Sequence, residues 1–189
     1  MAAPPPRAPG LPLMLMLLAC LAAAAAAPAH CHEVNRLEWR VAAADVADPD
    51  RLCTLHVTDA GGDREVRDPL LYIATAHGHG DAVRVLLAAG AAPDLRGHFQ
   101  TPQGPLFGHT ATDRAPHVYL FTPLQAAARY GQADTVALLL RAGADPALRV
   151  QDLLPGGEAV DLEWTAADLA LSAEVAQLLE APPPRHGEL

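Results

Sequence analysis

The side chains best equipped for chemistry in this 189-residue chain are nine histidines and three cysteines, and their spacing argues against catalysis. His30-Cys31-His32 puts three metal-binding residue types in a row, which suits either a metal or a solvated segment. His77 and His79 flank Gly78, as residues of a structural turn would. His98, His109 and His117 share one segment with Asp113, at spacings that match no established zinc pattern. No Gly-rich phosphate loop follows a strand, no nucleophile elbow is present, and Ser172 is the only serine. The expectation is no catalytic residue, no metal and no cofactor.

Composition narrows the partner. Formal net charge is -9, and every basic residue is Arg. A chain this acidic repels phosphate backbones and anionic lipid, so nucleic acid is excluded as a partner class. Hydrophobic residues reach 51 % while aromatics stop at 4 %, a balance that favours close-packed Ala/Leu helices over a sheet sandwich.

The N-terminal 1–29 read as a signal peptide: a short stretch carrying Arg7, apolar Leu11 to Ala27, and the small-x-small pattern Ala27-Pro28-Ala29. The apolar run is shorter than the roughly 20 residues that cross a bilayer, so stable membrane insertion after cleavage is not expected. Cys20 falls inside this leader. Cys31 and Cys53 remain as a candidate disulfide in an oxidising compartment, or as two free thiols.

Positioning comes from a repeat. Asp81, Val83, Leu86, Leu87, Gly90, Ala91, Pro93, Leu95 and Arg96 recur 53 residues on (134 minus 81) as Asp134, Val136, Leu139, Leu140, Gly143, Ala144, Pro146, Leu148 and Arg149. Asp68-Pro69-Leu70 matches Thr122-Pro123-Leu124 at an offset of 54 (122 minus 68), which implies one extra residue in the first copy's opening helix. In the second copy Thr122 caps a helix, Pro123 suits its first position, and Gly131 stops it. Val136, Leu139 and Leu140 then share one face of a second helix, which ends at Gly143. One such helix pair cannot bury its apolar face alone, so units must stack.

The segment Thr122 to Arg149 (TPLQAAARYGQADTVALLLRAGADPALR) resembles the ankyrin repeat, with Gln125 and Gln132 where the family carries His. Asp68 to Arg96 resembles it more loosely. Thr165 to Ala170 is similar to the family's opening helix, Ala173 to Ala181 to its second, and Ala60-Gly61-Gly62-Asp63 to the end of a degenerate unit with helices within Asn35 to Thr58. The fold this implies is all-α: a short ankyrin-type helical solenoid of two clear and two degenerate repeats with loop insertions. Its domain spans 33–181, divided into an N-terminal cap (33–67), a repeat (68–96), an insertion (97–121), a repeat (122–149), an insertion (150–164) and a truncated C-terminal cap (165–181). An extended tail follows at 182–189.

The resemblance implies a non-catalytic protein-interaction module and an unknown protein partner, with a monomer expected. It carries the partner surface to Thr75, Ala76, Arg129 and Tyr130 on the inner helices and to Leu95, Arg96, Leu148 and Arg149 at the loop tips. His98 and Phe99 extend those tips into the first insertion. His186 to Leu189 resembles an endoplasmic-reticulum retrieval signal with Gly in place of Asp, so the secretory pathway, secreted or lumenal, is the expected location. The alternative is a lumenal metal- or thiol-dependent enzyme using the His-rich segment or Cys31.

Overall fold

In the computed structural model, residues 43–59, 62–101, 117–154 and 156–180 are described. The leader, Cys31, most of the His-rich segment (with His109 and Asp113) and the C-terminal tail lie outside them. The first elements are α1 (Ala43–Ala47), β1 (Leu52–Asp59) and β2 (Gly62–Pro69). The first helix pair follows as α2 (Leu70–Ala76) and α3 (Gly80–Ala88), then β3 (Gly97–Thr101) and β4 (His117–Phe121). The second pair is α4 (Pro123–Arg129) and α5 (Ala133–Arg141). β5 (Gln151–Leu153), β6 (Ala159–Asp161) and α6 (Ala173–Glu180) complete the chain. No described helix is long and apolar enough to cross a membrane.

The helix pairs stack inner on inner (α2 on α4) and outer on outer (α3 on α5), and α6 packs on α5. Val83, Leu86, Val136 and Leu139 are fully buried in one continuous core, with Leu87 and Leu140 packed against it. The leucine pattern at three- and four-residue spacing therefore does form the seam between units.

The all-α expectation is wrong. Two antiparallel sheets accompany the helices: β1 with β2, and a four-stranded sheet in the order β3-β4-β5-β6. Leu52 to Thr58, expected in a helix, mixes β-branched and alternating residues that suit a pleated strand. Val118-Tyr119-Leu120-Phe121 has the same character. The two insertions are therefore hairpins and not loops. They also join, because β4 pairs with β5 through Tyr119↔Asp152 and Leu120↔Gln151. Gly62-Asp63, expected at the end of a degenerate unit, instead opens β2, where Gly62 pairs with Asp59.

The inner helices correct a second expectation. Both have seven residues, and Pro69 and Thr122 occupy the equivalent cap positions. The offset is 53 throughout (122 minus 69), so no residue is inserted. Leu71 matches Leu124, and Thr75 matches Ala128.

The truncated third unit lacks its opening helix. Thr165 to Ala170 forms a single turn, in which the Thr165 amide and hydroxyl donate to Asp168 Oδ2 at 2.8 and 2.9 Å. Leu171 N donates to Ala128 O at 3.1 Å, which ties this turn to α4.

The loops between units carry a ladder that the repeat comparison missed. Asp50 Oδ1 accepts from Ala92 N at 2.7 Å, and Asp94 Oδ1 accepts from Asp145 N at 3.1 Å. Ala92 and Asp145 are equivalent residues (145 minus 92 is again 53). Ala47-Asp48-Pro49-Asp50 is thus the first unit's counterpart of Ala91-Ala92-Pro93-Asp94, and α1 is the end of that unit's outer helix. Alanine at Asp50 and at Asp94 is each expected to lower stability by about 1 kcal/mol, since both bonds are exposed. The two losses should add, because they lie at different unit boundaries. Urea denaturation of the single and double variants checks this.

Candidate functional site

In a chain only 4 % aromatic, all three tyrosines and two of the three phenylalanines converge between the β3–β4 hairpin and the inner helices. Pairing Gly97↔Phe121 and Phe99↔Tyr119 sets all four residues on one face of the hairpin. The rings of Phe99 and Phe121 stack with centroids 4.4 Å apart, and Tyr130 sits 6.3 Å from Phe99. Tyr72 comes from α2 to complete the layer. Its ring lies so close to Gly97 that a Cβ there would fall 2.0 Å from Tyr72 Cδ1.

Polar contacts fix the hairpin to the helices. Tyr72 OH donates to His98 O at 3.1 Å. Asp68, buried just before α2, accepts from His98 N at 2.9 Å and faces His98 Nδ1 at 2.6 Å. Burial above all, with the Asp68 carboxylate and then Tyr130 adding to it, holds the Tyr72 hydroxyl well above the usual phenol range. Arg96 Nη1 donates to Leu120 O at 3.2 Å. Burial pulls the Arg96 guanidinium below its usual range, against the opposing charges of Asp161 and Asp94.

The hairpin leaves little of the inner helices open. Every residue of α4 from Pro123 to Ala128 is buried, as is every residue of α2 from Leu70 to Thr75. A surface helix keeps one polar face, and these two are enclosed all round. Only their C-terminal ends emerge, at Ala76, His77, Arg129 and Tyr130. Burial, with His79 adding to it, lowers the His77 pKa below the usual imidazole value. Burial likewise raises the Tyr130 hydroxyl, with Arg129 opposing.

Such stacked helix pairs, linked by hairpins, match a family model for ankyrin repeats in three copies across residues 41–150. The chain belongs to the ankyrin repeat family. Among solved structures, the human ASB11 ankyrin repeat domain is similar, at 27 % identity over 62 % of this chain and 41 % of that one, with a TM-score of 0.38. The chain thus spans less than half the length of that domain. No curated protein matches it. Membership suggests a protein-interaction module.

The expected site residues divide in three against this ankyrin frame. Phe99 and Tyr130 lie 6.3 Å apart at the emergent rim, and Ala76 and Arg129 stand at the C-terminal ends of the two inner helices. Leu95 and Arg149 are exposed at the loop tips, and Leu148 is half-buried there, its carbonyl taken by Gln125 Nε2 at 2.7 Å. Arg96 and His98 are turned to internal contacts. Thr75 is a correction: it is 0 % exposed, and its hydroxyl donates to Leu71 O at 2.8 Å. The mistaken offset of 54 paired it with Arg129, whereas its true equivalent is buried Ala128. His77, the true equivalent of Tyr130, was missed for the same reason. Leu171, 66 % exposed and within reach of Gly131, was also missed, because the shortened third unit hid its position.

Cys53 is fully buried and disulfide-bonded, and its partner lies outside the described residues. Among the described residues no cluster of three His, Cys, Asp or Glu side chains is placed to hold a metal.

Proposed function

We propose that this ankyrin protein is a non-catalytic, monomeric interaction module of the secretory pathway, and that its partner docks on the rim of Ala76, His77, Phe99, Arg129 and Tyr130, flanked by Leu171. The observation that carries the reading is Arg129. Its Nε is buried yet has no hydrogen-bond acceptor among the described residues. Beside it Tyr130 is 47 % exposed. A buried guanidinium N–H without an acceptor is costly, and a partner carboxylate would satisfy it. Tyr and Arg are also the residue types that most often anchor interfaces.

The location rests on the leader-like 1–29, on the disulfide at Cys53, and on the retrieval-like ending His186 to Leu189. Disulfides persist in oxidising compartments. Cys31 is the proposed partner of Cys53, since the only other cysteine, Cys20, lies in the segment to be removed. No nucleic acid or membrane contact is proposed for an acidic chain of this kind.

Arg129→Ala and Tyr130→Ala are each expected to weaken partner capture by about tenfold or more, the scale of an interface anchor, while shifting Tm by no more than about 2 °C. Quantitative capture from secretory-compartment lysate, run with the unsubstituted chain and both variants, measures this. Equal recovery by all three would remove the rim from the interface.

A further inference from the structure

The four-stranded sheet has two edges, and they are finished differently. At β3 the outward backbone groups of His98 are already taken: Asp68 accepts from its N–H, and the Tyr72 hydroxyl donates to its carbonyl. Among the described residues the far edge, β6, has no such cover. Leu154 N donates to Glu158 O at 2.9 Å, and Leu162 N donates to Val150 O at 2.8 Å. With Asp152↔Val160 between them, Glu158, Val160 and Leu162 turn their backbone groups inward to β5. In an antiparallel ladder alternate residues face opposite ways, so Ala159 and Asp161 direct their N–H and C=O groups outward. All three residues of β6 are exposed, with Val160 at 43 %. Among the described residues β6 pairs only with β5.

We propose that β6 is a docking edge that accepts an extended basic peptide as a fifth strand, hydrogen-bonded through Ala159 and Asp161. Backbone pairing supplies the binding, and side chains select the sequence. Asp161 and Glu163 are exposed on one face of this edge, the Asp161 carboxylate also accepting from Gln151 Nε2 at 2.8 Å, while exposed Glu158 lies on the face of Val160. Opposite charges paired across strands stabilise a ladder and like charges destabilise it. Arginine or lysine at alternate positions, with an apolar residue opposite Val160, fits the edge. A second copy of this chain does not, because pairing β6 with β6 would bring both acidic edges together on molecules of net charge -9.

The test uses the full chain and a fluorescently labelled, end-blocked seven-residue peptide alternating arginine and valine. Anisotropy is expected to show saturable binding that weakens as salt is raised. Asp161→Pro removes an outward N–H that β5 does not use, and places a ring on the edge. It should reduce affinity by about tenfold or more with the helical circular dichroism unchanged. Ala159→Pro, which removes the other outward N–H, serves if the first variant does not fold. Asp161→Asn keeps the backbone and should cause a smaller loss with a shallower salt dependence. No saturable binding overturns the proposal. So does equal binding by either proline variant, or by the same peptide N-methylated along one edge, since those results leave only charge attraction. Sedimentation showing a dimer that Asp161→Pro dissolves would assign the edge to a second copy instead. The rim substitutions at Arg129 and Tyr130 should leave peptide binding unchanged, which separates this site from the rim.

Discussion

Alanine at Gly97 is expected to destabilise the chain by about 3 kcal/mol, near the upper end of the usual range for overpacking a closed core. Three atoms of one ring stand in the way: the added Cβ would meet Tyr72 Cδ1 at 2.0 Å, Cγ at 2.4 Å and Cε1 at 2.5 Å. The neighbour is not the loose end of a flexible side chain. Tyr72 is buried on α2 and held by its bond to His98 O, two conditions that stop the ring from swinging aside. Either β3 lifts away from α2 or the ring leaves the aromatic layer. Lifting β3 also strains the bonds from His98 to Asp68. Tm should fall by roughly 6–12 °C, at about 2–4 °C per kcal/mol for a chain of this size. A second substitution makes the test specific. Tyr72→Leu alone loses ring packing and a hydrogen bond, but in the Gly97→Ala background it also removes the clash. The double variant should be more stable than the sum of the single losses predicts, by about 1 kcal/mol or more. Strict additivity would show that something other than the Tyr72 ring requires glycine at position 97, and close approach to that ring would then not be what seats the hairpin on α2.

The helical part of this architecture could be read from the chain, and the sheets could not. Val136, Leu139 and Leu140 repeat at the helical period, and glycine closes each helix of the two pairs, so a short local pattern carries the information. Strand pairing is not local. Phe99 and Tyr119 are twenty residues apart (119 minus 99), and β5 joins β4 across an entire helix pair. Val118-Tyr119-Leu120-Phe121 held a strand signal of its own, three β-favouring residues and a leucine in a row, but a strand needs its partner before it can be placed. The site suffered more than the fold, because a surface residue depends on register. At one residue's error in α2, Thr75 replaces His77 in the matched set. On a helix one residue is about 100° of rotation, enough to exchange a buried position for an open one. Leu95 and Arg149 were reachable because they come from the stretch where the two copies align without ambiguity, and Arg129 and Tyr130 because they lie in the copy that follows the family pattern nearly throughout. Arg96 and His98 belong to the same stretch as Leu95, but their internal contacts reach across the hairpin and leave no trace in a local pattern.

Gln125 shows how a departure from the family pattern can preserve its physics. The family carries histidine at this position. Here the glutamine closes a capping box with Thr122: Gln125 N donates to Thr122 Oγ1 at 3.2 Å, and Thr122 N donates to Gln125 Oε1 at 2.9 Å. Its Nε2 then donates to Leu148 O at 2.7 Å, joining the start of the inner helix to the loop at the end of the same unit. The side chain is 1 % exposed. Gln125→Ala therefore leaves the buried Thr122 amide and the half-buried Leu148 carbonyl without this partner, at about 1–3 kcal/mol each, and opens a small cavity as well. A total loss of about 3–4 kcal/mol is expected, read by urea unfolding. Gln125→Leu fills the space but makes neither bond, so it should recover only the cavity part, about 1 kcal/mol. Gln125→His retains a ring N–H donor and should keep more than half of the stability that alanine forfeits. If leucine instead restores the chain to full stability, packing and not hydrogen bonding fixes this position, and the capping box around Thr122 contributes little to holding the second repeat together.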